Sequence, residues 1–164
     1  MASDFFLYLK GIDGESLDEF HEDEIEIVSW SWMVSNDGAV YAPTNGGRTT
    51  AAQGAINISK ASDLASVTLW QYCTIGRHIP EGRITCRKAW VDNEKVEYLV
   101  IEMRDITVSS VEFSGTGNEG QVFESISLRF SEFKTTYTQQ LDTGDPAGSK
   151  QFGWNITKQV PASW

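Results

Sequence analysis

The chain has 164 residues, 40% of them hydrophobic and 12% aromatic, and a formal net charge of −10 from 23 acidic and 13 basic side chains. That length and apolar content suit one folded domain with a real core and exclude a disordered chain. The acidic excess argues against a sequence-independent grip on nucleic acid or anionic membrane, and no apolar run approaches the ~18 residues of a bilayer span.

In chain order, Phe5–Lys10 is a predicted strand, and the start lacks the basic n-region of a signal peptide. Asp13-Gly14 marks a turn. Acids then crowd one segment: Asp13, Glu15, Asp18, Glu19, Glu22, Asp23, Glu24 and Glu26, with no Lys or Arg between Lys10 and Arg48. Such a segment is either a solvated loop or an acidic rim that meets a basic surface.

The next run carries the most information. As a single strand, Glu24–Ser35 puts Glu24, Glu26, Val28, Trp30 and Trp32 on one face and Ile25, Ile27, Ser29 and Ser31 on the other. Trp30 and Trp32 are predicted core, because two large rings on one face need cover. Ser29 and Ser31 then belong to a wall that faces solvent or a close partner. The stretch Asn36–Gly54, with Asp37-Gly38, Pro43 and Asn45-Gly46-Gly47, reads as a long loop, either mobile or an arm that docks on another subunit.

Further on, Ala55–Ser59 is a predicted strand. A short helix follows, with Ser66 as N-cap, Leu69, Tyr72 and Cys73 on one side, and Gly76 as the C′ residue. It is too short to persist without packing on a sheet. Strands are predicted at Arg83–Trp90, Val96–Asp105, Thr107–Phe113, Val122–Tyr137 and Phe152–Lys158, with turns at Asp92-Asn93 and Gly115-Thr116-Gly117-Asn118. In 122–131, Val122, Ile126, Leu128 and Phe130 alternate with Ser125, Ser127, Arg129 and Ser131. The fold class is therefore mainly β: an antiparallel β-barrel or sandwich with one short α-helix packed against it and a long extended loop.

Catalytic and metal chemistry find little support. His21 and His78 are the only histidines, and neither accompanies a nucleophile motif. His21 reads as a structural or interface residue whose ring Asp18, Glu22 or Asp23 would hold. Two histidines and two separate cysteines do not make a metal site, and glycines follow no phosphate-loop spacing. Cys73 and Cys86 are expected to be free, buried thiols. No catalytic, cofactor-binding or metal residue is assigned, and an enzyme is not expected.

Gly14-Glu15-Ser16, Asp18 and His21 precede the acidic-apolar run into Trp30-Ser31-Trp32, and this order resembles the Hcp proteins, the haemolysin-coregulated proteins of the bacterial type VI secretion system. The likeness continues through Gly76-Arg77-His78-Ile79-Pro80, Arg87-Lys88-Ala89, Val96-Glu97-Tyr98-Leu99, Val108-Ser109-Ser110-Val111, Glu124–Phe130 and Gly153-Trp154-Asn155. Met33, Val67 and Trp90 depart from the family pattern. The resemblance implies one Hcp-like β-barrel domain over 1–164 that forms hexameric rings. Stacked rings would make the inner tube, with effector proteins carried in the lumen and the tip spike and sheath as further partners. It also implies a protein made in the cytoplasm and exported without a cleavable signal peptide. On this reading Ser29 and Ser31 face the lumen or its cargo, and Asn45, Gly46, Gly47, Arg48, Thr49 and Thr50 form a loop that reaches the neighbouring subunit. The other reading that composition allows is a monomeric β-sandwich, such as a carbohydrate-binding module with exposed Trp30, Trp32 or Trp90 as its platform.

Overall fold

A computed structural model describes residues 3–36, 51–89, 95–143 and 145–164. The elements in order are β1 (Ser3–Leu9), β2 (Ile25–Ile27), β3 (Ser29–Asn36), β4 (Ala51–Ala61), α1 (Ala65–Ile75), β5 (His78–Ala89), β6 (Lys95–Gly115), β7 (Val122–Gln140), β8 (Pro146–Asn155) and β9 (Val160–Pro161). All strand pairs are antiparallel, in the order β2-β1-β5-β6-β7-β4-β3, with β8 also on β7 and β9 on β8. The mainly β expectation with one helix is met.

Three of the predicted strand assignments change. Glu24–Ser35 is two strands, not one: β2 pairs with β1, whereas β3 pairs with β4 at the other end of the order. The break lies at exposed Val28, whose N–H donates to Ser59 O at 2.8 Å. Inward parity switches there. Ile25 and Ile27 are buried before it, and Trp30 and Trp32 point inward after it. The two ends of the sheet are thus joined by the chain and not by a ladder of hydrogen bonds.

The predicted strands Val96–Asp105 and Thr107–Phe113 are one strand, β6, that bends at Asp105, where φ is 52°. An aspartate tolerates this left-handed backbone better than most residues do. Strand β7 is similarly long and serves two partners along one edge. Its residues 123–128 pair with β4, and residues 132–140 pair with β8. β8 therefore begins and ends earlier than the predicted Phe152–Lys158.

The core is drawn from the inward residues of the sheet, including Leu7, Ile25, Ile56, Ile58, Ile84, Ile101, Met103, Ile126 and Leu128. Helix α1 adds Leu69 and packs on β6, with Trp70 against Phe113 at 5.2 Å. Its start is capped differently from expectation. Asp63 Oδ1 accepts from the Ala65 N–H at 3.0 Å, and Ser66 Oγ accepts from the Asp63 N–H at 2.9 Å. Ser66 lies inside the first turn and returns a bond to the capping aspartate, a reciprocal arrangement of capping-box type. Gly76 is the expected left-handed C-terminal residue, at φ 67°. The predicted turn at Asp13-Gly14 is not one. The chain turns at Lys10 and Gly11, where Gly11 has φ 83°. Asn45–Thr50, Trp90 and Asp92-Asn93 lie outside the described residues.

Candidate functional site

The outward face of β3, β4, the first half of β7 and the last part of β6 is a wall of small polar side chains. Register assembles it in rows. Ser29 lies beside Ser59, Ser59 beside Ser125 and Ser125 beside Glu112. In the next row Ser31 lies beside Asn57, Asn57 beside Ser127 and Ser127 beside Ser110. Within the rows, Ser127 Oγ donates to Asn57 Oδ1 at 2.6 Å, and Ser109 Oγ donates to Ser127 O at 3.1 Å beside a bulge between Val108 and Ser110. Ser29, Ser31, Asn57, Ser110 and Ser125 are exposed. Arg129, exposed beside Thr107, gives the wall its cation.

Among the described residues, both edges of this wall lack a pairing strand. β3 ends the strand order, and pairing between β5 and β6 stops at Thr107, so residues 108–115 of β6 pair with β7 alone. An edge strand offers a row of free N–H and C=O groups. Three antiparallel steps separate β3 from β6, so the two edges run in opposite directions.

Beneath the wall, an ionic cluster ties it to α1. Lys60, fully buried, lies 3.0 Å from Glu124 Oε2 and 2.7 Å from Asp63 Oδ1, and also donates to Ser66 Oγ and Ala61 O. Ser62 Oγ donates to Glu124 Oε1 at 2.9 Å. Such a pair is tolerated in the interior because nearly every polar site around it is satisfied. The helix cap and the wall therefore share one cation.

The outward face of β1 and β5 is covered instead. Residues 11–24 lie across it, and the cover is pinned by charge. Arg87, 2% exposed, donates to Asp18 through both terminal nitrogens and to Asp4 Oδ2 at 3.2 Å, with its guanidinium 4.8 Å from the Phe6 ring. The Arg87 hydrogen bonds hold the Asp18 carboxyl well below the usual carboxylate range, against a smaller opposing effect of burial. His21 stacks on Phe6 at 4.3 Å, and its Nδ1 lies 3.0 Å from Glu24 Oε2. Glu24 also accepts from Arg83 at 2.9 Å. Glu24 at Nδ1 and Glu97, 3.3 Å from Nε2, therefore flank His21 in place of Asp18, Glu22 or Asp23, and Glu24 is buried rather than facing with the tryptophans. Gly14 lets the segment lie flat, because a Cβ there would sit 2.5 Å from Glu24 O and 2.7 Å from Ile25 Cα.

The predicted site residues sort clearly. Ser29 and Ser31 share the wall; Ser59, Asn57, Ser110 and Ser127 join them only through register, which the sequence does not print. Trp30 and Trp32 are half-buried against the core, with Trp32 edge-on to Phe130 and Phe133 and its Nε1 donating to Gly54 O at 3.1 Å. Neither is a freely exposed ring, although Trp32 keeps one side on an open groove. Cys73 and Cys86 are both free; Cys73 is half-buried, not buried as expected, while burial pushes the Cys86 thiol up to about 11. His78 pairs with Asp105, whose carboxyl it holds low. Among the described residues no group of His, Cys, Asp or Glu is arranged to hold a metal ion.

The family model described as "Type VI secretion system effector, Hcp" matches residues 6–137. The chain is 34% identical over 163 residues to Protein hcp1 of Pseudomonas aeruginosa, covering 99% of this chain and 100% of that protein. It is similar in structure to Hcp1 from Salmonella typhimurium, with a TM-score of 0.81, 32% identity and coverage of 99% of this chain and 100% of that one. A type six secretion system protein matches with a TM-score of 0.89, 26% identity and coverage of 98% and 100%. A type VI secretion system effector from Yersinia pestis matches with a TM-score of 0.76, 27% identity and coverage of 93% and 100%.

Proposed function

Since the chain belongs to the Hcp family of type VI secretion system proteins, we propose that it is a structural subunit of the inner tube, assembling as hexameric rings that stack and carry effector proteins in the lumen. The observation that carries this reading is the polar wall, whose two edges run in opposite directions and have no pairing strand among the described residues. When copies are set side by side, β3 of one continues the antiparallel alternation beyond β6 of the next. Repetition of that contact closes into a ring and removes the edges, which a lone β domain must otherwise protect. The wall then becomes the lumen lining, with Ser29 and Ser31 among its cargo contacts. Small hydroxyls wet such a channel and give a passing protein no apolar trap.

Other parts follow from the same reading. The loop Asn45–Thr50 reaches a neighbouring subunit, and the tip spike and sheath are further partners. Synthesis is cytoplasmic and export uses no cleavable signal; among the described residues no helix is long and apolar enough to cross a membrane.

The deciding experiment is native mass by light scattering, with negative-stain images. A species of about six times the 18.3 kDa chain, seen as a ring with a central hole, supports the reading. A clean monomer at tens of micromolar overturns the pre-formed ring. Deletion of Asn45–Thr50 is expected to weaken the ring and leave the monomer folded; an unchanged oligomer would remove the loop from the interface.

A further inference from the structure

A second surface is left as unfinished as the wall, and by a different chemistry. Between the β3–β4 pair and the second half of β7 with β8 lies an open groove of about 830 Å³. Its walls include Trp32, Val34, Phe133, Tyr137, Phe152 and Trp154. Phe152 is 59% exposed, Val34 53% and Tyr137 50%, a contiguous apolar surface of the kind that marks an interaction site. Two polar atoms at the groove, Gln53 Oε1 and Thr135 Oγ1, are buried without a hydrogen-bond partner.

Charge indicates which occupant. Most cations of this acidic chain are committed to its own carboxylates or rings. Among the described residues Arg129, Lys150 and Lys158 have no such partner; Lys150 lines the groove, and Lys158 precedes the lining residue Gln159 in the chain. The segment 11–24 has the opposite character. Its tips are Leu17, 95% exposed, and Phe20, 76% exposed, set among exposed Glu15, Glu19 and Glu22. Asp18, His21 and Glu24 anchor it from below, so it is pre-ordered for docking. Within one copy the segment lies on β1 and β5 and contributes nothing to the groove lining.

We propose that the groove of one copy seats the acidic, apolar-tipped segment 15–22 of a second copy. The contact is heterologous, with a different patch on each partner, and so deepens the ring-and-tube reading on which it rests. Leu17 and Phe20 fill the aromatic groove, and Glu19 and Glu22 meet Lys150 and Lys158, which also steers encounter.

The test uses the full chain in four forms: wild type; Glu19→Lys with Glu22→Lys; Lys150→Glu with Lys158→Glu; and all four changes together. Light scattering over a dilution series, with images, reads ring and stack. All sites are exposed, and circular dichroism checks that each form is folded. Each charge-reversed pair is expected to weaken copy-to-copy association by about tenfold or more, and the combined swap to recover most of that loss. Phe20→Cys combined with Gln159→Cys is expected to give intermolecular disulfides that neither single variant gives. A wild type that assembles, with all variants assembling equally and no paired cross-link, overturns the docking and leaves the ring standing. A wild type that never associates overturns both. Saturable quenching of tryptophan fluorescence by dodecanoate in the intact assembly would show the groove empty there and open to a small amphipath, and would also overturn the docking.

Discussion

Two stretches of outward-facing sheet can be compared strand for strand. On β1 and β5 the outward residues Phe6, Thr85 and Arg87 are buried, because residues 11–24 return over them and are held by Asp18, His21 and Glu24. On β3, β4 and the first half of β7 the outward residues are Ser29, Ser31, Asn57, Ser125 and Ser127, and no segment among the described residues covers them. The first face pairs its main charges inside the chain, Arg87 with Asp18 and Asp4 and Arg83 with Glu24. The second leaves small, readily hydrated groups, with two strand edges beside them. Phe6 and Arg87 are covered by their own chain, whereas the rows of serine, with exposed Arg129 beside them, leave a surface for something else.

The comparison breaks most sharply at Arg87. Arg87→Leu leaves Asp18 and Asp4 without their main cation beneath the cover, and is expected to cost about 3–5 kcal/mol in urea unfolding. Gly14→Ala comes next. Its Cβ meets backbone and not a flexible side chain, so the cover must lift, at about 1–3 kcal/mol. Hydrogen exchange in residues 11–24 should rise in this variant while β4 and β7 keep their protection.

Acid tests the same pin in the wild type. The folded Asp18 value is depressed, so its contribution is present above the unfolded carboxylate value of about 4 and is lost as pH falls towards the folded value. The stability gap between wild type and Arg87→Leu should therefore narrow below about pH 4. Asp105 follows the same sign through His78, but it is common to both proteins and cancels in the difference.

The smallest effect is expected on the wall. Ser31→Gln should change stability by no more than about 0.5 kcal/mol, yet reduce retention of cargo by intact rings. Loss of the ring in that variant would move Ser31 from lining to subunit contact.

Strand alternation was legible wherever one face is buried. In 122–131 the inward Ile126, Leu128 and Phe130 and the outward Ser125 and Ser127 stand as the period of two requires. The pairing of strands was not legible. Ser59 and Asn57 join Ser29 and Ser31 only because β4 sits between β3 and β7, a matter of register between segments far apart in sequence. The break at Val28 was hidden because alternation continues up to it, and tertiary position decides that the chain bends there. His21 was readable as structural, but the choice among nearby acids was not, since Gly14 and Asp23 set which carboxylate lies beneath the ring. Asp23 has φ 59°, and its C=O accepts from the Gly14 N–H at 2.7 Å.

The corner at Val28 also bears on how the molecule comes apart. Strands β2 and β3 are neighbours in sequence but terminal strands at opposite ends of the sheet order. Peeling β2 from β1 pulls on the residue that starts β3, and peeling β3 from β4 pulls on the residue that ends β2. Neither margin can fray alone, so the ladder-bonded amides of Ile25–Ile27 and Ser29–Trp32 should exchange with one common opening free energy, as a single cooperative unit. The same lacing delays folding, because the corner can settle only after β1 has found β5 and β4 has found β7, pairings that join distant parts of the chain.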